Sequence, residues 1–203
     1  VPHEDLDAML MRNYFSDGLF FIFEIILVSL ICSDLLSEDI RSSSLVLYLS
    51  RALRVEGYVL GKWAGAMLTI CLFTLLPPLA MAIAVTATQS GPDYASSLTV
   101  IGQTFLAGLW SALFLVPIGL AMSSITRKRT YAGVGTFMLF FGLMIVAGML
   151  SGFSDDWALL SPQEVLQNSY TVLFGLELPE RVDQIMLAAM ALVMTVPPML
   201  LVY

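Results

Sequence analysis

Long apolar stretches separated by short polar ones dominate the chain. Five of these stretches reach or approach the ~20 residues that a helix needs to cross a bilayer. Backbone amides inside lipid must bond within their own segment, so the stretches are predicted to be helices. A membrane barrel would instead alternate apolar and polar residues in runs of about ten. The predicted fold class is an all-α polytopic membrane helix bundle. Its spans cover 18–36, 63–88, 98–125, 131–153 and 184–203.

Composition agrees with a membrane protein and argues against several kinds of catalytic and metal site. Of the 203 residues, 58% are hydrophobic and 12% are charged, against roughly 25% charged residues in a soluble domain. The single histidine, His3, leaves little material for a histidine base or a metal site. Cys32 and Cys71 lie in apolar runs, where a thiol behaves as a small hydrophobic group. We therefore predict no catalytic residue, no metal site and no bound cofactor in this chain.

The basic residues indicate how the chain crosses the membrane. Lys and Arg accumulate in cytoplasmic loops, and seven of the nine lie between spans one and two or between spans three and four. We expect these two loops in the cytoplasm. The net charge of −7 then describes an acidic outer surface, which gives no support for nucleic-acid binding but leaves room for an extracytoplasmic partner. The seven residues are Arg41, Arg51, Arg54, Lys62, Arg127, Lys128 and Arg129.

The cytoplasmic segment 37–62 is too polar to span the membrane, and it contains an amphipathic pattern. On a helical wheel, 45–54 has a broad apolar face that includes Leu45 and Leu49. A short helix on the membrane surface is the simplest arrangement, either anchored only by lipid headgroups or used to dock a soluble partner. The opposite face, directed at the cytosol, carries one leucine between two arginines: Leu47, Arg51 and Arg54.

Motifs within and around this helix resemble the type 2 family of ATP-binding-cassette (ABC) transporter permeases. The family pattern is approximately E-D-x-R-x-x-x-L-x-x-x-L-S-R followed by E-Y-x-x-G-K. Here Gly57 stands between the final glutamate and tyrosine. A second match is Ser161-Pro162 before the last span, which is similar to the family's Ser/Asn-Pro motif. The residues that carry the first match are Glu38, Asp39, Arg41, Leu45, Leu49, Arg51, Glu56, Tyr58 and Lys62.

The resemblance covers nearly the whole chain and implies a function. It makes 45–54 the coupling helix that docks on a separate ABC ATPase subunit, which binds ATP and Mg²⁺. It also implies a second copy or homologue of the permease, export of a cargo, and a multi-pass location in the cytoplasmic (inner) membrane. Six spans per subunit are implied, so we expect a first span before Val1. The chain itself has no phosphate loop, since 57–62 is GxxxGK and one residue short.

A function from a different class remains open. The chain would then be a membrane scaffold or secondary transporter that works without ATP. This alternative is favoured if Glu24 is proton-coupled and no ATPase co-purifies.

The outer segment before the last span, 154–183, also has a pattern. A serine capping box with proline at the first helical position predicts a helix from about 162 to 174, with a stop at Gly175. The family resemblance implies a re-entrant helix that closes the outer mouth, and simple packing at the membrane edge is the alternative. The predicted gate residues are Ser161, Pro162, Glu164 and Tyr170.

Polar side chains inside spans are candidates for contact with cargo, because they are costly in lipid. Glu24 is the clearest, six residues into the first span and therefore ~9 Å below its outer end. It can form an ion pair, line a cavity or hydrogen-bond as the protonated acid. Gln103 and Trp110 in the third span are further candidates. For each of the three, a structural bond between helices is the alternative.

Overall fold

The computed structural model describes residues 3–42, 55–88, 94–126, 128–179 and 182–202. Within these ranges all regular structure is helical, which confirms the predicted all-α class. The elements are α1 (His3–Ser16), α2 (Gly18–Arg41), α3 (Val55–Thr88), α4 (Tyr94–Ile125), α5 (Arg129–Leu150), a 3₁₀ helix (Asp155–Leu160), α6 (Pro162–Leu173) and α7 (Gln184–Leu201).

Five segments are long and apolar enough to cross a membrane, so the chain is a polytopic helical bundle. Helices α2 and α3 both reach into the segment predicted to be cytoplasmic, since α2 continues to Arg41 and α3 begins at Val55. The coupling helix predicted over 45–54 lies outside the described residues. The five segments are Gly18–Arg41, Gly57–Ala84, Leu98–Ile125, Arg129–Leu150 and Gln184–Leu201.

Helix α4 is the centre of the bundle. It contacts α2, α3, α5 and α7, and between Ser111 and Ala121 every side chain except that of Leu113 is buried. By contrast, α5 and α7 bury only a narrow strip each and expose the rest of their apolar surface. This is the expected distribution for a bundle whose outer surface faces lipid, because apolar side chains lose nothing by pointing into a bilayer.

Helices α2 and α4 approach closely at Gly119. A Cβ atom at this position would lie 2.7 Å from Cγ1 of Val28 and 2.9 Å from Cβ of Cys32. Both neighbours are fully buried, so neither has room to move aside. Glycine is therefore required here by the packing of two helices and not by backbone conformation.

The first helix, α1, was not predicted by the apolar pattern. Its buried residues Ala8, Met11 and Phe15 are spaced three and four apart, which places them on one face of a helix. That face packs against α6, α4 and α2. Acidic residues at positions 4, 5 and 7 obscured this spacing in the sequence.

We expect Gly119→Ala to destabilise the protein, because overpacking a tight core costs about 1–3 kcal/mol. The matched control is Gly142→Ala in α5, where an added Cβ atom would meet nothing within 4 Å. The measurement is the free energy of unfolding of both variants in the same detergent. If Gly119→Ala were as stable as Gly142→Ala, the close approach of α2 and α4 would be refuted.

Candidate functional site

The end of α2 and the start of α3 are joined by a partly buried ion pair. Nζ of Lys62 lies 2.7 Å from Oδ2 of Asp39, and their side chains are 28% and 16% exposed. The hydroxyl of Tyr58, one helical turn before Lys62, donates a hydrogen bond to the same oxygen of Asp39. Two of the predicted coupling residues are thus in direct contact. Partial burial makes this pair stronger than the usual exposed ion pair.

Two further ion pairs lie at this end of the bundle. Arg129 at the start of α5 lies 2.9 Å from Asp34, and Arg41 lies 2.8 Å from Glu38 within α2. Both pairs are largely exposed and contribute less than the Asp39 pair. Together they border a cleft of about 790 Å³ that is lined by both acidic and basic side chains. We call this the basic end, defined by Arg41, Lys62, Lys128 and Arg129.

A serine from α4 bonds to the backbone of α2 near the basic end. The hydroxyl of Ser123 accepts hydrogen bonds from the amides of Leu36, at 3.3 Å, and Ser37, at 3.1 Å. It donates to the carbonyl of Ser33 at 3.2 Å. A hydroxyl has one proton and two lone pairs, so all its bonding capacity is used on one helix. A side chain inserted in this way is a known cause of helix bending.

The remaining predicted coupling residues are Glu56 and the docking face. Glu56 belongs to helix α3, and its side chain lies outside the described residues. The residues predicted to form the docking face also lie outside the described ranges: Leu45, Leu47, Leu49, Arg51 and Arg54.

The opposite end of the bundle is covered by α1, α6 and the 3₁₀ helix, and we call it the covered end. Nε of Arg12 donates to Oγ1 of Thr171 at 3.2 Å, and Nε2 of Gln167 donates to the carbonyl of Ser16 at 2.7 Å. The ring of Phe15 lies 5.2 Å from that of Tyr170 between centroids. Polar and aromatic contacts therefore fasten α6 to α1.

The predicted outer helix is present as α6, and Gly175 follows it with a φ of 70°. A left-handed residue of this kind commonly ends a helix. The predicted capping box is wrong, because the side chain of Ser161 makes no cap hydrogen bond. That side chain is buried, and Ser161 contributes its backbone carbonyl, which accepts from the amide of Val165 at 3.2 Å. Pro162 is buried at the first helical position, and Glu164 is half-buried.

Residues from two predicted sites meet beneath α6. Glu24 of α2 and Tyr170 of α6 are each 1% exposed, and the hydroxyl of Ser111 from α4 lies next to both. The sequence had assigned Glu24 to a cargo path and Tyr170 to a gate. The structure brings them together in one buried polar cluster, which we call the acid cluster: Glu24, Ser111 and Tyr170.

The other two candidates for the cargo path lie elsewhere on α4. Trp110 borders an apolar cavity of about 350 Å³ between α4, α6 and α7. Gln103 is half-buried and lies seven residues earlier, ~10 Å along the helix. Neither is a member of the acid cluster. Among the described residues, no group of three or more His, Cys, Asp or Glu side chains is placed to hold a metal ion.

Five membrane-length helices define the chain as a multi-pass integral membrane protein. It matches the family described as ABC-2 family transporter protein over residues 4–201, and it belongs to that family. The resemblance to type 2 ABC permeases is thereby confirmed. No curated protein and no solved structure matches the chain.

Family membership defines the coarse function. The chain is a membrane permease subunit of an ABC transporter. Such subunits are generally not catalytic themselves, and they associate with an ABC ATPase subunit.

We expect Ser123→Ala to destabilise the protein by about 0.5–1.5 kcal/mol, because the amides of Leu36 and Ser37 lose the hydroxyl to which they bond. The matched control is Ser124→Ala, because Ser124 donates only to Ala121 within its own helix. Hydrogen exchange resolved to single amides is the measurement. Exchange at Leu36 and Ser37 should rise in Ser123→Ala and not in Ser124→Ala. Equal exchange in the two variants would contradict the role of Ser123.

Proposed function

We propose that the chain is the membrane-spanning subunit of an ATP-driven exporter and that the helix predicted over 45–54 docks on a separate ATPase subunit. ATP and Mg²⁺ bind in that partner. A second copy or homologue of this chain completes the transport pathway. The observation that carries the proposal is the contact of Asp39 with Lys62 and Tyr58, because it pins together the two helices on either side of 43–54.

This contact lets a displacement of 43–54 act on both spans at once. If α2 and α3 were free at their ends, a force on the connecting segment would be absorbed by rotation of either helix alone. The ion pair resists such rotation. Asp34 and Arg129 extend the connection to α5, and Ser123 extends it to α4. Four spans therefore receive the motion.

The hydrogen bonds of Ser123 indicate where α2 bends when the connecting segment is displaced. The amides of Leu36 and Ser37 lie inside a continuous helix, where each ordinarily bonds to the carbonyl four residues earlier. Here they also bond to Ser123, so the helical ladder can open locally without leaving an amide unpaired. We place a hinge of α2 at 33–37.

Charge supports a cytoplasmic location for the basic end. Arg41, Lys62, Lys128 and Arg129 are found there, whereas Arg12 is at the covered end. Basic residues mark the cytoplasmic side of a membrane protein. The covered end then faces outward, where cargo leaves, and the membrane is the cytoplasmic (inner) one.

We expect Leu47→Asp to abolish association with the ATPase while leaving membrane insertion intact, because a charge replaces the apolar side chain at the centre of the docking surface. The matched control is Leu10→Asp, since Leu10 is 48% exposed on α1 at the covered end. The measurement is recovery of the ATPase with the tagged permease from native membranes in mild detergent.

The result distinguishes the proposal from the ATP-independent alternative. Loss of the ATPase in Leu47→Asp alone supports docking through 45–54. Equal recovery with both variants refutes docking there. Absence of any nucleotide-hydrolysing partner from the unmodified protein favours a scaffold or secondary transporter.

Reversing the charge of Asp39 tests the transmission of motion to the spans separately from docking of the ATPase. In Asp39→Lys two cations oppose each other, and we expect ATP hydrolysis to continue while transport falls by at least about tenfold, as the loss of ~1.4 kcal/mol of coupling would give. The double variant Asp39→Lys with Lys62→Asp restores the opposite charges and should recover most of the transport. Vesicle uptake and phosphate release are measured on the same preparation. Failure of the double variant to recover would show that the pair does not transmit motion.

A further inference from the structure

The acid cluster contains two buried polar atoms without hydrogen-bonding partners among the described residues. They are Oε1 of Glu24 and Oη of Tyr170. An unpaired buried polar atom of this kind is costly. The side chains of Glu24 and Tyr170 each lie next to the hydroxyl of Ser111, and a carboxylic acid, a phenol and a hydroxyl together hold a donor or acceptor for both unpaired atoms.

Ser111 can accept a hydrogen bond from Glu24. Its hydroxyl lies 3.1 Å from the carbonyl oxygen of Ala107 and 3.3 Å from that of Gly108, both on its own helix. With its single proton on either carbonyl, the oxygen of Ser111 keeps its lone pairs to accept bonds. An ionised carboxylate has no proton to donate, so a bond that Ser111 accepts from Glu24 requires the protonated acid.

The absence of a cation paired with Glu24 in the described part of the chain also favours its protonated form. Among the described residues, no Lys or Arg forms an ion pair with it. A buried carboxylate without a cation is far more costly than a neutral carboxylic acid. Arg12, on α1, is occupied by Thr171 and Asn13.

Two tyrosines interact electrostatically with Glu24, Tyr14 from α1 and Tyr170 from α6. Burial raises the pKa of Tyr14, and it raises that of Tyr170 well above the ordinary value. Both therefore remain neutral phenols, and Tyr170 keeps a proton to donate. Neither side chain can supply a compensating positive charge to Glu24.

We propose that Glu24 is a buried proton-binding site that fastens the outer helix α6 to the bundle. Its carboxyl group stays protonated and donates to Ser111, while its carbonyl oxygen accepts from Tyr170. One proton thereby connects α2, α4 and α6. Withdrawal of α6 breaks the bond from Tyr170 and admits water to the acid. Protonation of Glu24 and its bond to α6 need no ATPase, so they are independent of the proposed exporter.

Infrared spectroscopy tests the protonation of Glu24 directly. In the full chain in lipid nanodiscs at neutral pH, we expect a C=O stretching band of a neutral carboxylic acid. Glu24→Gln should remove this band, and Tyr170→Phe should shift it to higher frequency because the carbonyl loses a donor. The matched control is Glu177→Gln, which removes an exposed carboxylate and should leave the band unchanged. Lack of a band that depends on Glu24, or a band insensitive to Tyr170→Phe, would overturn the proposal.

Hydrogen exchange of α6 tests the fastening. Glutamine is neutral and has the shape of a protonated glutamate, with a donating NH₂ group in place of the acid hydroxyl and a carbonyl oxygen that accepts, so Glu24→Gln should leave exchange in α6 unchanged. Glu24→Leu and Tyr170→Phe each remove the bond and should raise exchange across α6 about fivefold, the factor for one hydrogen bond of typical strength. If Glu24→Leu fails to fold, Tyr170→Phe alone decides. A rise in Glu24→Gln as large as in Tyr170→Phe would show that a charged Glu24 holds α6.

Discussion

Helix α4 lies against α2 from the acid cluster at one end to Ser123 at the other, and the rest of the bundle is arranged around this seam. Gly119 lets the two helices approach until Val28 and Cys32 fill the space between them. The hydroxyl of Ser123 then reaches the backbone of α2. In lipid, where apolar contact with a neighbouring helix is no better than contact with acyl chains, close packing and hydrogen bonds of this kind are what hold helices together.

Because α2 and α4 are fixed to each other, the two ends of the bundle are mechanically connected. An ion pair attaches α3 to α2 at the basic end. At the covered end, the acid cluster attaches α6 to α2 and α4. Glu24 lies about 22 Å along α2 from Asp39, on the far side of the hinge proposed at 33–37. In the proposed exporter, bending at this hinge shifts the packing of α2 on α4, and this is how an event in the cytoplasm loosens the outer helix.

The sequence predicted five membrane-length helices, as the structure has them, because lipid requires a continuous run of apolar residues along the chain. It did not predict contacts that depend on how helices are rotated. Ser123 and Ser124 are adjacent and look equivalent in the sequence, yet only the first reaches α2. Met11 and Phe15 mark the buried face of α1, but acidic neighbours obscured it. The capping box predicted at Ser161 was wrong because the sequence pattern does not show that this side chain is buried in the folded protein.

The two ends use different chemistry because their solvation differs. Asp39 and Lys62 lie where water still reaches them, so both charged forms are solvated, and their attraction falls off gradually until salt screens it beyond about 8 Å. Glu24 and Tyr170 are enclosed, and there a neutral hydrogen bond is strong but short-ranged. An ion pair yields gradually as its charges separate, whereas a buried hydrogen bond is lost within a small displacement. In the proposed exporter, the basic end is therefore suited to transmitting a continuous motion, and the covered end to remaining shut until that motion passes a threshold.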